Sequence, residues 1–194
     1  RRPLGMEGVA LELRELPSQQ IRELLASGDA DLGLMLVPER DAHPDHTPLL
    51  RSPLGLLVSP SIRIPESVPS LDVISGLPFA RLTDDMLIPQ VLRSAGVHCE
   101  AYFGAPVTIS SMPALISSVA EGRLATIVSA IAASSPIART LQFLPLPHLL
   151  PWVRLSIEKS AVRPAAACEH WEPAIRSSVL AVAWHACVEL VTTP

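Results

Sequence analysis

Aromatic side chains, charged side chains and cysteines are all scarce in this sequence of 194 residues. Phe, Trp and Tyr make up 4% of it, charged residues make up 18%, and the formal net charge is −4. The basic residues are scattered, so we expect no nucleic-acid binding by the chain itself, because phosphate contacts need clustered Lys and Arg. The three cysteines are an odd number without CxxC spacing, which argues against a disulfide framework or a zinc site and indicates reduced thiols.

Long apolar runs and export signals are also missing. The richest apolar run, residues 179–191, is interrupted by His185 and Glu189, and it is too short and too polar to span a bilayer. No basic segment followed by an apolar one opens the chain, as it would in a signal peptide. We therefore expect a cytoplasmic protein without a membrane partner.

Enzyme motifs and metal-ligand spacings are absent as well. The sequence has no G-x-S-x-G elbow, phosphate-binding loop, Rossmann glycine triplet or H-E-x-x-H motif, so we expect no enzyme and no cofactor. The one cluster of metal-binding side chain types is residues 41–46, which holds two His and two Asp. Pro44 and the loop context argue against preorganised ligands, so we predict a solvated loop and no metal.

Apolar residues, in contrast, make up 48% of the sequence, and they fall into short strand and helix patterns. Residues 9–14 read as a strand, and Ser18 then N-caps a helix over residues 19–27 that Gly28 ends. A buried strand follows over residues 31–36. Strand, helix and strand within about thirty residues make a βαβ unit, which predicts a parallel sheet.

The rest of the chain continues this alternation. Thr83, followed by two acidic residues, marks a second helix start. Pro89 is tolerated only in the first turn, so we expect the regular helix to begin nearer Asp85 than Thr83, or to kink there. Ser110 with Ser111 marks a third helix start. A long final helix is predicted over residues 173–188. The remaining predicted strands are 54–58, 79–82, 105–109, 125–128, 141–144 and 153–158.

Three stretches carry a resemblance to a known family. They are VALELRELPSQQIRELLASGDADLGLML (residues 9–36), LLRSPLGLLVSP (residues 49–60) and ISSMPALISSVAEGRLATIVSA (residues 109–130). Together with the order of elements, they resemble the effector-binding domain of LysR-type transcriptional regulators, and the first stretch is the most specific. The third stretch departs from the family pattern at Leu124, where a glycine is usual, and at Ser129, where a proline is usual.

The resemblance implies an α/β fold of two Rossmann-like lobes joined by a double crossover, like a type 2 periplasmic binding protein. We expect the first lobe to comprise residues 1–59 and 146–194, and the second lobe residues 60–145. The family domain begins with a strand and a helix before the segment that matches Val9, and only eight residues precede Val9 here. We therefore expect this first strand and helix, and the DNA-binding winged helix-turn-helix, to be absent from the chain.

The expected ligand site lies at the carboxyl ends of the strands, where helix N-termini converge and favour anions. Plain helix capping is the alternative explanation for each candidate hydroxyl. Arg81 adds a contact to a carboxylate if it points into the cleft, whereas Asp84 and Asp85 would repel an anion there. The resemblance supports Ser18 and the segment around Thr83 as effector contacts. The candidate hydroxyl side chains are Ser18, Thr83, Ser110, Ser111 and Ser129.

The favoured function is therefore the sensor domain of a bacterial LysR-type regulator, which binds a small organic anion, a carboxylate, between its lobes. The resembled family dimerises through this domain, and the mean hydropathy of +0.36 also favours association, so we expect a homodimer or a tetramer. DNA would be bound only through the absent N-terminal domain. The alternative is a free-standing solute-binding protein that delivers its ligand to a transport system.

Overall fold

Short strands alternate with helices along the chain, as the apolar pattern predicts. The computed structural model describes residues 12–41, 46–104, 106–122, 124–163 and 165–191. Its strands are β1 (Leu32–Pro38), β2 (Thr47–Val58), β3 (Ala80–Leu82), β4 (Val107–Ile109), β5 (Ala125–Ser129), β6 (Gln142–Pro145), β7 (Trp152–Lys159) and β8 (Glu189–Leu190). Its helices are α1 (Ser18–Ser27), α2 (Leu87–Ser94), α3 (Cys99–Phe103), α4 (Met112–Gly122), α5 (Ala130–Ala133) and α6 (Ala165–Leu180).

The long strand β2 organises the larger sheet. Its first half, residues 47–53, pairs with β7, whereas its second half, residues 54–58, pairs with β5 and β6. β1 pairs with β7 and β8 pairs with β2, so six strands form one sheet. Every pair described within this sheet is antiparallel. β2 thus carries the chain from one group of strands to another, and the link between β6 and β7 brings it back.

Burial of β2 on both faces explains its nearly continuous apolar sequence. Leu56 and Leu57 are neighbours whose side chains point to opposite faces of the sheet, and both are 0% exposed. Leu56 packs in the apolar cluster that includes α2, and Leu57 packs in the cluster that includes α4. A strand covered on both faces has no solvent-facing positions, so the usual alternation of apolar and polar residues is lost.

In the part of the chain that the structure describes, parallel pairing is limited to the smaller sheet and to one bridge between the residue before β3 and β5 of the larger sheet. β3 pairs with β4 in parallel, and Phe79 forms a parallel bridge with Ala125, the first residue of β5. The parallel sheet predicted from the first βαβ unit has no counterpart at β1, whose described pairing is antiparallel. Residues 12–14 of the predicted first strand have no regular structure, and residues 9–11 lie outside the described residues.

Helix ends were predicted more accurately than helix starts. Gly28 ends α1 with φ 79°, and its backbone N–H donates to the carbonyls of the last helical turn. α6, however, spans Ala165–Leu180 rather than residues 173–188. The prediction was wrong because the segment after α6 takes up tertiary contacts: the indole Nε1 of Trp184 donates to the Val179 carbonyl at 2.8 Å, and Glu189–Leu190 pairs with β2.

Candidate functional site

Three parallel strands end at one edge: β3 and β4 of the smaller sheet, and β5 of the larger sheet. The register places Leu82 opposite Ile109, and the backbone N–H of Thr83 donates to the Ile109 carbonyl at 3.0 Å. Thr83 therefore lies beside the Ser110–Ser111 turn. Phe79 and Ala125 are bridged side by side. Thr83 lies four residues after Phe79, and Ser129 lies four residues after Ala125, so both follow the bridge at the same distance along the chain. The structure thus brings the predicted residues Thr83, Ser110, Ser111 and Ser129 to one edge, which we call the strand-end site.

The hydroxyls at the strand-end site differ in availability. Ser129 is 2% exposed, and its side chain accepts a hydrogen bond from the Ala132 N–H at 3.2 Å, so it caps α5. Ser110 and Ser111 are exposed. The Ser111 carbonyl accepts from the Leu115 N–H at 2.9 Å, which places Ser111 at the N-terminus of α4. The Ser110 and Ser111 hydroxyls therefore face solvent at the start of an eleven-residue helix.

The predicted capping role of Ser18 was wrong. Pro17 occupies the N-cap position of α1, and no side-chain hydrogen bond caps this helix. Ser18 is instead the first helical residue and is partly exposed. Within the described residues, no hydrogen bond links Ser18 to the strand-end site.

The predicted helix start at Thr83 was also wrong, because α2 begins at Leu87 with Met86 as its N-cap. Pro89 accounts for the later start: a proline lacks an N–H, so it is accommodated only in the first helical turn. The segment before α2 forms a turn in which the Met86 N–H donates to the Thr83 carbonyl at 3.0 Å. Thr83 therefore ends a strand and begins a turn.

Arg81 already has two carboxylate partners. Its guanidinium binds the Asp84 carboxylate and lies 3.2 Å from Glu100, and its side chain is only 19% exposed. A nitrogen of the Arg93 guanidinium also lies 3.5 Å from an Asp84 carboxylate oxygen. The hydrogen bond from Arg81 holds the pKa of Asp84 below its usual value, so Asp84 is charged but paired. The repulsion of an anion that we expected from Asp84 is therefore largely offset by these two arginines.

The candidate metal cluster lies mostly outside the described residues, which omit 42–45. His46 is described, and its Nε2 lies 3.4 Å from a Glu158 carboxylate oxygen. In the described parts of the chain, no group of three His, Cys, Asp or Glu side chains is arranged to hold a metal ion. The same parts contain no helix long and apolar enough to cross a membrane.

A groove that sequence reasoning missed lies beside α2. This α2 groove has a volume of about 310 Å³. Its walls come from the end of β1, from α2 and from the start of β7, which are distant in sequence, and no short motif marks them. The residues that line the α2 groove are Pro38, Glu39, Arg40, Val91, Ser94, Ala95, Pro151 and Trp152.

An ion-pair network borders the α2 groove. The Glu39 carboxylate accepts from Arg51 Nη2 at 3.0 Å and from Arg154 Nη2 at 3.4 Å. Arg51 also lies 3.1 Å from Glu189, and its guanidinium carbon lies 4.2 Å from the ring centroid of Trp152. Glu39 therefore ties the end of β1 to β2 and β7.

Replacing Glu39 with glutamine is expected to lower the free energy of unfolding at pH 7 by about 1–2 kcal/mol, since the lost charge-assisted hydrogen bonds are partly screened by solvent. The bond from Arg51, supported by Arg154, lowers the pKa of Glu39 from 4.5. Because the pKa of Glu39 is lower in the folded than in the unfolded protein, the Glu39 charge stabilises the fold at pH values above the unfolded-state pKa. This stabilisation is lost as the pH falls through the folded-state pKa.

Urea unfolding at pH 7 and at pH 3 measures this difference. The gap between the parent and Glu39→Gln should shrink at the lower pH, while the exposed control Glu121→Gln should match the parent at both. An equal difference in the free energy of unfolding between the parent and Glu39→Gln at pH 7 and pH 3 would contradict this role of the Glu39 charge.

Comparisons with known proteins agree on one family and one fold. A family model described as the LysR substrate binding domain matches residues 6–168. A reduced form of OxyR from N. meningitidis is 20% identical with a TM-score of 0.61, over 90% of this chain and 82% of that one. The reduced regulatory domain of OxyR2 from Vibrio vulnificus is 14% identical with a TM-score of 0.63, over 86% of this chain and 79% of that one.

A full-length OxyR variant from Pseudomonas aeruginosa is 16% identical with a TM-score of 0.62, over 84% of this chain and 56% of that one. No curated protein sequence matches the chain. At these identities the structural neighbours show the fold alone. It is the predicted α/β fold of two lobes with a double crossover, like a type 2 periplasmic binding protein, and the predicted fold class is confirmed.

Proposed function

The chain belongs to the LysR substrate binding domain family, and from this premise we propose that it binds a small organic anion, a carboxylate, at the strand-end site. Membership makes the chain the ligand-sensing regulatory domain of a LysR-type regulator. Regulators of this family bind small-molecule effectors and act as oligomers on DNA. A transport solute-binding protein is therefore the less supported reading.

The observation that carries the proposal is the alignment of strand ends through the hydrogen bond between Thr83 and Ile109. It puts the Thr83 side chain beside two exposed serines at the N-terminus of α4. Unpaired backbone N–H groups and the positive helix dipole at that end favour a carboxylate, and serine hydroxyls can donate to its oxygens. In this arrangement Arg81 holds Asp84 in place, and Ser129 supports α5 from within.

The proposed response is closure of two lobes over the ligand. We assign the first lobe to residues 1–59 and 146–194 and the second to residues 60–145. We propose that Ser18 reaches the ligand from the first lobe when the lobes close. Closure would bend the two crossovers near Ser59 and Leu146 and would change the spacing of DNA-binding domains in an oligomer. We also propose that the protein is cytoplasmic, that it forms at least a homodimer, and that it has no catalytic activity.

Calorimetry on serine variants tests the strand-end site, with the effector identified by native mass spectrometry of ligand carried from the cell. Ser111→Ala is expected to weaken binding by about 1.5–3 kcal/mol, because a hydroxyl bonded to a charged oxygen is worth about that much. Ser18→Ala should weaken binding comparably if α1 closes onto the ligand. Ser117→Ala, an exposed serine within α4, is the matched control and should bind as the parent does.

Parent-like affinity in both Ser111→Ala and Ser18→Ala would show that the effector binds elsewhere. A loss of affinity in Ser117→Ala equal to that in Ser111→Ala would mean that α4 is damaged as a whole.

At the two cysteines whose side chains the structure describes, thiol chemistry is not favoured as the sensing reaction, although structural neighbours include reduced forms. Cys99 is 7% exposed, and burial, reinforced by the Glu100 carboxylate, raises the pKa of its thiol to about 11. Burial also raises the pKa of Cys187. A thiol reacts as its thiolate, so a raised pKa slows attack on peroxides and other electrophiles.

Alkylation of Cys99 by iodoacetamide at pH 7 is expected to be slow in the folded protein, because burial limits access and about one thiol in ten thousand is ionised at a pKa near 11. Mass spectrometry of the peptide that contains Cys99 gives the rate, with urea-unfolded protein as the fast reference. The rate should rise steadily between pH 7 and pH 9.5. Labelling of Cys99 at pH 7 as fast as in the unfolded reference would restore thiol sensing as a candidate.

A further inference from the structure

We propose that the α2 groove is a second ligand site, which takes a small organic anion with a flat apolar body. This site is separate from the strand-end site and does not rest on the function proposed for it. Ligand in the groove would contact β1 and β7 of the larger sheet and α2, which follows β3 of the smaller sheet. It would therefore bridge elements on the two sides of the crossovers.

The walls of the α2 groove suit a flat apolar body. Pro38 and Pro151 have rigid rings, and Trp152 contributes an indole. Ala95, the C-cap residue of α2, follows Val91 by one helical turn. Prolines lose no side-chain rotamer entropy when a ligand packs on them. A volume of about 310 Å³ is at the lower end of the range for small-molecule pockets. The groove is thus sized for a single- or double-ring compound.

The charge at the mouth of the groove favours an anion. The Arg40 side chain is 60% exposed, and its nearest acceptors among the described residues, which omit 42–45, are an Asp41 oxygen at 3.6 Å and the Ser94 carbonyl at 3.5 Å. Both distances exceed those of good hydrogen bonds. Glu39, the other charged lining residue, is held by Arg51 and Arg154. A ligand carboxylate can therefore dock on the planar fork of Arg40 without displacing a short ion pair.

The α2 groove and the strand-end site lie at opposite ends of α2. The helix begins just after the turn at Thr83, whereas Ser94 and Ala95 at its other end line the groove. Eight residues of α-helix span about 12 Å. Ligands of ordinary size can therefore occupy the two sites together.

Saturation-transfer NMR with benzoate as the probe, and with neutral benzamide for comparison, tests the groove in the full 194-residue chain. Benzoate should bind more tightly than benzamide. Arg40→Gln should weaken benzoate binding about tenfold and leave benzamide binding unchanged, because it removes a charge-assisted contact alone. Ala95→Phe should abolish binding of both probes by filling the groove. The matched control is Arg139→Gln, an exposed arginine next to the 3₁₀ turn Pro136–Ala138, which should bind as the parent does.

A thermal melt of each variant establishes that it is folded before its binding is compared. Benzoate that binds the folded Ala95→Phe variant as it binds the parent would overturn the proposal. So would the absence of benzoate binding to the parent, or benzoate binding that Ser111→Ala removes and Arg40→Gln does not. That last pattern would place the probe at the strand-end site. Parent-like affinity of the serine variants for the native effector would contradict the strand-end site but not the α2 groove.

Discussion

Replacing Gly55 with alanine is expected to lower the free energy of unfolding by about 3 kcal/mol or more. A Cβ built at Gly55 would lie 2.4 Å from the Leu144 carbonyl oxygen and 2.6 Å from the Phe143 ring. The carbonyl belongs to the backbone of β6 and cannot rotate away as a side chain can. β6 would have to separate from β2, and the pairing of the buried Leu56 with the partly buried Leu144 would be strained with it.

Gly122→Ala is the matched control for Gly55→Ala. At Gly122 the added Cβ would meet only the Leu124 side chain, at 3.3 Å, and the position is exposed at the end of α4. Alanine there should leave stability unchanged or raise it by up to about 1 kcal/mol. Urea unfolding followed by circular dichroism compares the two, and equal midpoints for both variants and the parent would refute the close approach of β6 to β2.

Replacing Phe79 with alanine is expected to cost about 3–5 kcal/mol, the usual range for a phenylalanine removed from a core. Phe79 is 4% exposed and stacks on Phe103 with ring centroids 4.0 Å apart. Its carbonyl also accepts from the Val107 N–H at 3.0 Å, and it bridges Ala125. The ring fixes Phe79 in the core, and the Phe79 backbone joins β4 and β5, so loss of the ring should loosen the strand-end site as well as the core.

Phe79→Leu separates the two roles of Phe79. Leucine keeps most of the apolar volume, so this variant should lose less than about 1.5 kcal/mol and retain effector affinity. Urea unfolding gives the stability of both variants, and calorimetry gives their affinity. If Phe79→Ala were as stable as Phe79→Leu, the stacked pair would not be part of the core.

Short-range signals in the sequence predicted several elements well. Gly28 indicated the end of α1, because this signal acts within one helical turn. The apolar run at residues 54–58 indicated a buried strand, which the structure extends to Thr47–Val58. The family resemblance, carried by three stretches, predicted the fold class.

Helix starts were less predictable than helix ends. Ser18 and Thr83 have the right side chains for capping, yet neither caps a helix, since proline positions set the start of α2 and Pro17 precedes α1. A hydroxyl in a turn is compatible with several local structures. Which one forms depends on the backbone around it.

The sequence by itself determined that this chain is an α/β member of the LysR substrate binding domain family, because local apolar periodicity and family motifs are properties of neighbouring residues. Only the tertiary structure decided that Thr83, Ser110 and Ser129 share an edge, that Arg81 is bound by two carboxylates, and that Glu39 joins Arg51 and Arg154. These contacts join residues up to 115 positions apart. Strand register and packing bring such residues together, and no spacing along a single sequence records them.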